Sequence, residues 1–82
     1  MLGRVAMSEP AIRKRSVLIA GHATSVSLEP EFWDALRRIA AARGLSLNAL
    51  VAEVDAQRGA RNLSSALRVH ALVAASREGG RG

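Results

Sequence analysis

The chain has 82 residues and no cysteine, with 12 basic residues against 7 acidic ones for a formal charge of +5. That length suits a single domain, and the lack of cysteine excludes a disulfide framework, a thiol nucleophile and any Cys-based metal site. The positive balance favours a polyanionic partner, because neutralising phosphates releases condensed counterions.

Residues 1–12, beginning MLGRVAMSEP, show no hydrophobic period and are expected to form a disordered N-terminal arm. They lack the apolar core of a signal peptide, and no stretch of the chain approaches the roughly 18 apolar residues of a membrane span. A cytoplasmic protein without membrane contact is therefore expected. Arg13, Lys14 and Arg15 follow as a compact basic cluster, which is either a set of phosphate contacts or a solvated tail.

RSVLIA over 15–20 and ATSVSL over 23–28 read as two strands flanking Gly21 and His22. Glycine at the first central position suits a type II′ hairpin. In that register Ala20 faces Ala23, Ile19 faces Thr24, Val17 faces Val26 and Arg15 faces Leu28. Val17, Ile19, Val26 and Leu28 then share one apolar face. Ser16, Leu18, Ala20, Ala23, Ser25 and Ser27 share the other, which is small and largely neutral.

Past Pro30 the period changes from two to about 3.6: Phe32, Leu36, Ile39 and Ala40 form a helical stripe that Trp33 widens. Pro30 suits a first helical turn, and Glu29, Glu31 and Asp34 lie near the positive end of the helix dipole. The helix is expected to end near Arg43, with Gly44 as its stop and Arg37, Arg38 and Arg43 on its polar side. Trp33 reads as a core or dimer-interface aromatic rather than a base-stacking platform, since the chain has one Phe and no Tyr.

Ser46 can cap a second helix running to about Arg58, with Leu47, Leu50, Val51 and Val54 on its apolar face and Gly59 as its breaker. Asn48, in the first turn, would meet a phosphate at the helix N-terminus or simply face solvent. A third helix is expected over ARNLSSALRVHALVAAS, capped by Asn62 and apolar on more than one side, with His70 a packed core or interface residue. Residues 77–82 read as a flexible, glycine-rich tail.

No catalytic set emerges. His22 and His70 have no acidic residue at ligand spacing, and the glycines form no phosphate-binding loop. A non-enzymatic protein with no metal and no cofactor is expected. A chain of this size draws only about 3–5 kcal/mol from one core, and alanine, which supplies much of its apolar content, buries little area. A homodimer or higher homo-oligomer is therefore expected.

The order of strand, Pro30-led helix, Gly44-Leu45-Ser46 and second helix, spanning ATSVSLEPEFWDALRRIAAARGLSLNAL, resembles the ribbon-helix-helix class of MetJ, Arc and CopG. From Arg15 to about Ala71, and above all in AGHATSVSLEPEFW and RNLSSALRV, the chain is similar to a bacterial subfamily with an extra leading strand and a third helix. The resemblance implies a mainly α fold with a short β ribbon and a domain over residues 13–76. It also implies a dimeric, DNA-binding transcriptional regulator that inserts a two-stranded ribbon into the major groove of double-stranded DNA.

By that resemblance Ala23, Ser25 and Ser27 would face the bases, while Ser46, Leu47 and Asn48 would clamp a backbone phosphate beside the contacts of Arg13, Lys14 and Arg15. Val26, Leu28, Phe32, Trp33, Leu36, Ile39, Leu50, Val51 and Val54 would form the dimer core. The three base-facing side chains are short, so their readout is expected to discriminate weakly. A leading strand paired beside the ribbon would make a four-stranded sheet, wider than a groove of about 12 Å. The alternative is an oligomeric protein–protein interaction module, an adaptor or antitoxin-like protein, that uses the sheet face or the third helix.

Overall fold

The computed structural model describes residues 12–81. Strands β1 (Arg13–Ile19) and β2 (His22–Leu28) form an antiparallel hairpin. Helices α1 (Pro30–Ala42), α2 (Leu47–Gln57) and α3 (Leu63–Arg81) follow. The expected mainly α fold, a short β ribbon followed by three helices, is present. The arm expected over residues 1–12 lies, up to residue 11, outside the described residues.

The hairpin differs from the expected one in its turn. Ala20 and Gly21 occupy the two central positions, at φ 52° and 82°, and a pair of positive values makes a type I′ turn rather than II′. Ile19 faces His22, Val17 faces Thr24, Arg15 faces Val26 and Arg13 faces Leu28. The register is thus displaced by two residues, and it extends the ladder back to Arg13. The turn accounts for the shift, since a two-residue loop at Ala20-Gly21 sets Ile19 opposite His22. The Trp33 Nε1–H donates to the Arg13 carbonyl at 2.9 Å, tying the start of β1 to α1. Because strand side chains alternate with period two, this displacement leaves each of them on the face expected of it. Val17, Val26 and Leu28 are buried, and Ile19 packs against them.

Helix α1 starts with Pro30 at a position where a missing N–H is harmless. It stops in a Schellman arrangement, with Leu45 N–H donating to Ala40 O at 2.8 Å and Gly44 N–H to Ala41 O at 3.1 Å. Gly44 has φ 70°, and a side chain there would meet open space, so the requirement is one of backbone conformation rather than room. Along α1 the burial is recentred relative to expectation. Trp33, Leu36 and Ala40 are buried, whereas Phe32 and Ile39 flank them and are only partly covered.

The Ser46 Oγ accepts from the Ala49 N–H at 3.0 Å, and the Asn62 Oδ1 from the Ser65 N–H at 2.8 Å, so both caps act as their residue types predict. Helix α3 continues to Arg81, through residues expected to fray from Arg77 onward. Each residue added to a formed helix gains a hydrogen bond, which offsets a penalty of about 1 kcal/mol per helical glycine. Ala66, Leu67 and Ala71 of α3 close a core with Leu50, Val51 and Val54 of α2 and the buried faces of α1 and the hairpin. Within one chain Leu28, Leu36, Leu50, Val51 and Leu67 are all at 0% exposure.

Candidate functional site

Two surfaces of the hairpin must be distinguished, its outward face and its free edge. Lys14, Ser16 and Leu18 of β1 pair with Ser27, Ser25 and Ala23 of β2. Paired residues share a face, so all six lie opposite the core. Ser27 is half-buried and the others are exposed. Ala23, Ser25 and Ser27 are thus brought together, with Ser16 as an additional hydroxyl and Lys14 as the basic group. The sequence pattern alone puts Lys14 ahead of the strand; only the longer ladder shows that it belongs to this face.

The same alternation divides the basic cluster. Arg13 and Arg15 pair with Leu28 and Val26, on the side of the sheet that bears the helices. There the Arg15 guanidinium lies over the Trp33 ring, 5.5 Å from its centroid. Of the three cations, Lys14 alone belongs to the outward face.

Hydrogen bonding from the helices identifies which backbone groups point away from the hairpin. The Leu18 N–H donates to the Asn48 Oδ1 at 3.3 Å, so Leu18 and Ala23 form one of the pairs that exchange no bonds across an antiparallel ladder. Alternate pairs behave alike, and the outer edge of β2 therefore presents the backbone groups of Ala23, Ser25 and Ser27. The Ser64 Oγ–H donates to the Ser27 carbonyl at 3.1 Å, in agreement. A carbonyl has a second lone pair, so this bond leaves Ser27 able to accept another.

Ser46, Leu47 and Asn48 sit together at the start of α2, but each is already engaged. Ser46 caps the helix, Leu47 packs against the core and Asn48 holds the outer edge of β1. The Asn48 amide nitrogen and the first N–H groups of α2 are the groups of this turn suited to an anion. Val26, Leu28, Trp33, Leu36, Leu50, Val51 and Val54, expected in a dimer core, are buried within the single chain. Phe32 and Ile39 retain accessible surface beside that core. His70 is half-buried beside an open groove between α2 and α3, and His22 is exposed at the start of β2.

Four carboxylates, those of Glu29, Asp34, Glu53 and Asp55, are engaged by arginines. Glu29, at the N-cap of α1, accepts from Arg68 at 2.9 and 3.4 Å instead of capping its own helix. This hydrogen bonding holds the Glu29 carboxyl below its usual 4.5. Arg43 grips Glu53 through both guanidinium nitrogens at 2.8 and 2.9 Å, which lowers the Glu53 pKa and raises that of Arg43. Asp34 pairs with Arg37 at 2.7 Å and Asp55 with Arg58 at 2.6 Å. Among the described residues no group of three or more side chains gathers to hold a metal, and no helix is long and apolar enough to cross a membrane.

Comparison with known proteins agrees with this architecture. The ribbon-helix-helix domain family matches residues 12–75. Among solved structures, an uncharacterized protein from Bordetella pertussis Tohama I is similar with a TM-score of 0.69 and 36% identity. The match covers 87% of this chain and 62% of that one, so this chain spans less than two thirds of the other's length. No curated protein matches the chain.

Proposed function

The chain belongs to the ribbon-helix-helix domain family, and from that premise we propose that it is a homodimeric, DNA-binding transcriptional regulator. Two copies pair through the outer edges of β2, giving a sheet ordered β1–β2–β2′–β1′. The observation that carries this reading is the edge itself: β1 is closed at Leu18 by Asn48, whereas β2 offers the backbone groups of Ala23, Ser25 and Ser27 to a second strand. Pairing about Ser25 sets Ala23 opposite the other copy's Ser27, which keeps both outward faces on one side.

The geometry also reconciles four strands with one groove. At about 4.8 Å between neighbours, the two β2 strands fit within a major groove of about 12 Å, while the β1 strands, roughly 14 Å apart, lie over its rims. Ser25 and Ser27 then address base edges at short range, with Ala23 beside them. Lys14 on the rim and the first turn of α2 meet phosphates, which set position without reading sequence. Arg13 and Arg15 stand behind the sheet and do not take part in this contact.

Titrating salt against binding to a mixed-sequence duplex tests the reading. Affinity should fall with a log–log slope of about −0.9 per phosphate contact, and Lys14→Gln should make that slope shallower. Ser25→Asp with Ser27→Asp should abolish binding while sedimentation still reports a dimer. No binding at about 50 mM salt by an intact dimer would overturn the proposal.

A second reading, a protein-binding module, draws on α3. Leu72 is 63% exposed, and Val69 and Val73 stand beside it along the open groove that Val54 and Ala66 also line. This surface is independent of the ribbon, so truncating Leu72 and Val73 leaves DNA binding unchanged and removes only a protein contact.

A further inference from the structure

The arginines that the ribbon turns away from its outward face build a recess of their own. Arg13, Arg15 and Arg37 line it with Pro30, Trp33 and Asp34, enclosing about 260 Å³. Asp34 and Arg37 are paired at 2.7 Å and offset one another, so the recess carries the two charges of Arg13 and Arg15. The pocket is a product of tertiary structure: Arg13 and Arg15 stand two apart on one face of β1, and Arg37 comes from the second turn of α1. The Trp33 Nε1–H bond to the Arg13 carbonyl at 2.9 Å ties these elements together, and the indole beneath Arg15 restrains its guanidinium. Among the described residues Arg13 and Arg15 each lack a carboxylate partner. Holding like charges close together in this way is unfavourable, and an anion of charge −2 relieves it.

We propose that this recess binds the dianionic phosphoryl group of a small phosphate monoester, at a site separate from the DNA-facing surface. Guanidinium forks grip phosphate oxygens in pairs, which a planar donor does better than a point charge. A phosphoryl group gripped by the arginines leaves room in the recess for part of its ester substituent, which leads out to solvent. Such a ligand would lean on β1 and α1 together, behind the ribbon. This site does not depend on the DNA reading.

Trp33 is the only tryptophan in the chain and lies under Arg15, so its fluorescence reports on the recess directly. Inorganic phosphate, titrated into the full chain at constant ionic strength, should give a saturable change in Trp33 emission that sulfate reproduces and chloride does not. Arg15→Gln should weaken the response about tenfold or more, as the loss of a charge-assisted bond implies, and Arg13→Gln should act alike. Arg15→Lys, which keeps the charge and loses the fork, should fall between. Lys14→Gln, on the opposite face, should leave the response intact. Circular dichroism should show each variant folded; should Arg15→Gln unfold, Arg13→Gln and Arg15→Lys carry the comparison. The proposal is overturned by an unsaturable response, by one that survives Arg13→Gln and Arg15→Gln together, or by one that stoichiometric duplex DNA abolishes, since the recess would then hold DNA backbone.

Discussion

Asn48 joins α2 to the outer edge of β1 by accepting the Leu18 N–H through its side-chain oxygen at 3.3 Å, across thirty residues of sequence. One residue thus occupies the helix turn suited to a phosphate and at the same time closes a strand edge.

Replacing Asn48 separates these roles. Asn48→Ala should reduce stability by about 0.5–1.5 kcal/mol, read in urea denaturation, and should speed hydrogen exchange at the Leu18 amide. Asn48→Asp retains the acceptor, so stability and exchange should hold, while under the DNA-binding proposal affinity for a duplex should fall through repulsion of phosphate. Unchanged exchange at Leu18 in Asn48→Ala would mean that the bond does not hold in solution.

The hairpin turn stores strain at Ala20, a residue with a side chain held at φ 52°. A left-handed conformation disfavours such a residue by roughly 1–2 kcal/mol. Ala20→Gly, or Ala20→Asn, which suits a type I′ turn, should raise the melting temperature, and Ala20→Val should lower it. A loss of stability with glycine would contradict the turn assignment.

Glu29 and Glu53 contribute stability that depends on pH. The hydrogen bonds from Arg68 and Arg43 depress their folded-state pKa values below the ordinary 4.5. The contribution is therefore fully present above 4.5 and disappears as pH falls through the lower folded values. Thermal melts of Glu29→Gln and the wild type should differ at neutral pH and converge in acid; parallel curves down to the lowest pH would refute the coupling.

Leu67 of α3 is fully buried, whereas Leu72 is 63% exposed. Leu67→Ala should cost about 2–5 kcal/mol, and Leu72→Ala should stay within about 0.5 kcal/mol. Equal effects would mean that α3 does not pack as described.

What is legible in the sequence is what short range decides. Pro30, Gly44, Ser46 and Asn62 act within one or two turns of where they stand, and the alternation of Val17, Ile19, Val26 and Leu28 assigns faces without needing the exact register. The register itself is not legible, because the alternation is served equally whether Ala20 or His22 shares the turn with Gly21, and the bond from Trp33 to Arg13 spans twenty residues. The engagements of Asn48 with Leu18 and of Arg68 with Glu29 are longer still. The recess behind the sheet escapes for the same reason: Arg13, Lys14 and Arg15 read as one cluster until the strand begins early enough to send them to alternate faces. A strand start at Arg13 is the available signal, since three long polar residues still fit the alternation.

Because α3 covers the interior of one chain, folding and assembly would be separable steps under the proposed pairing through β2. On that reading a subunit is folded before it meets another, and the proposed association adds chiefly backbone bonds along one strand. The fraction paired then follows the amount of protein present. Under the regulatory reading, occupancy of a two-fold symmetric target rises with the square of subunit concentration while monomers predominate, and the response acquires a threshold that a permanently interlocked pair would lack.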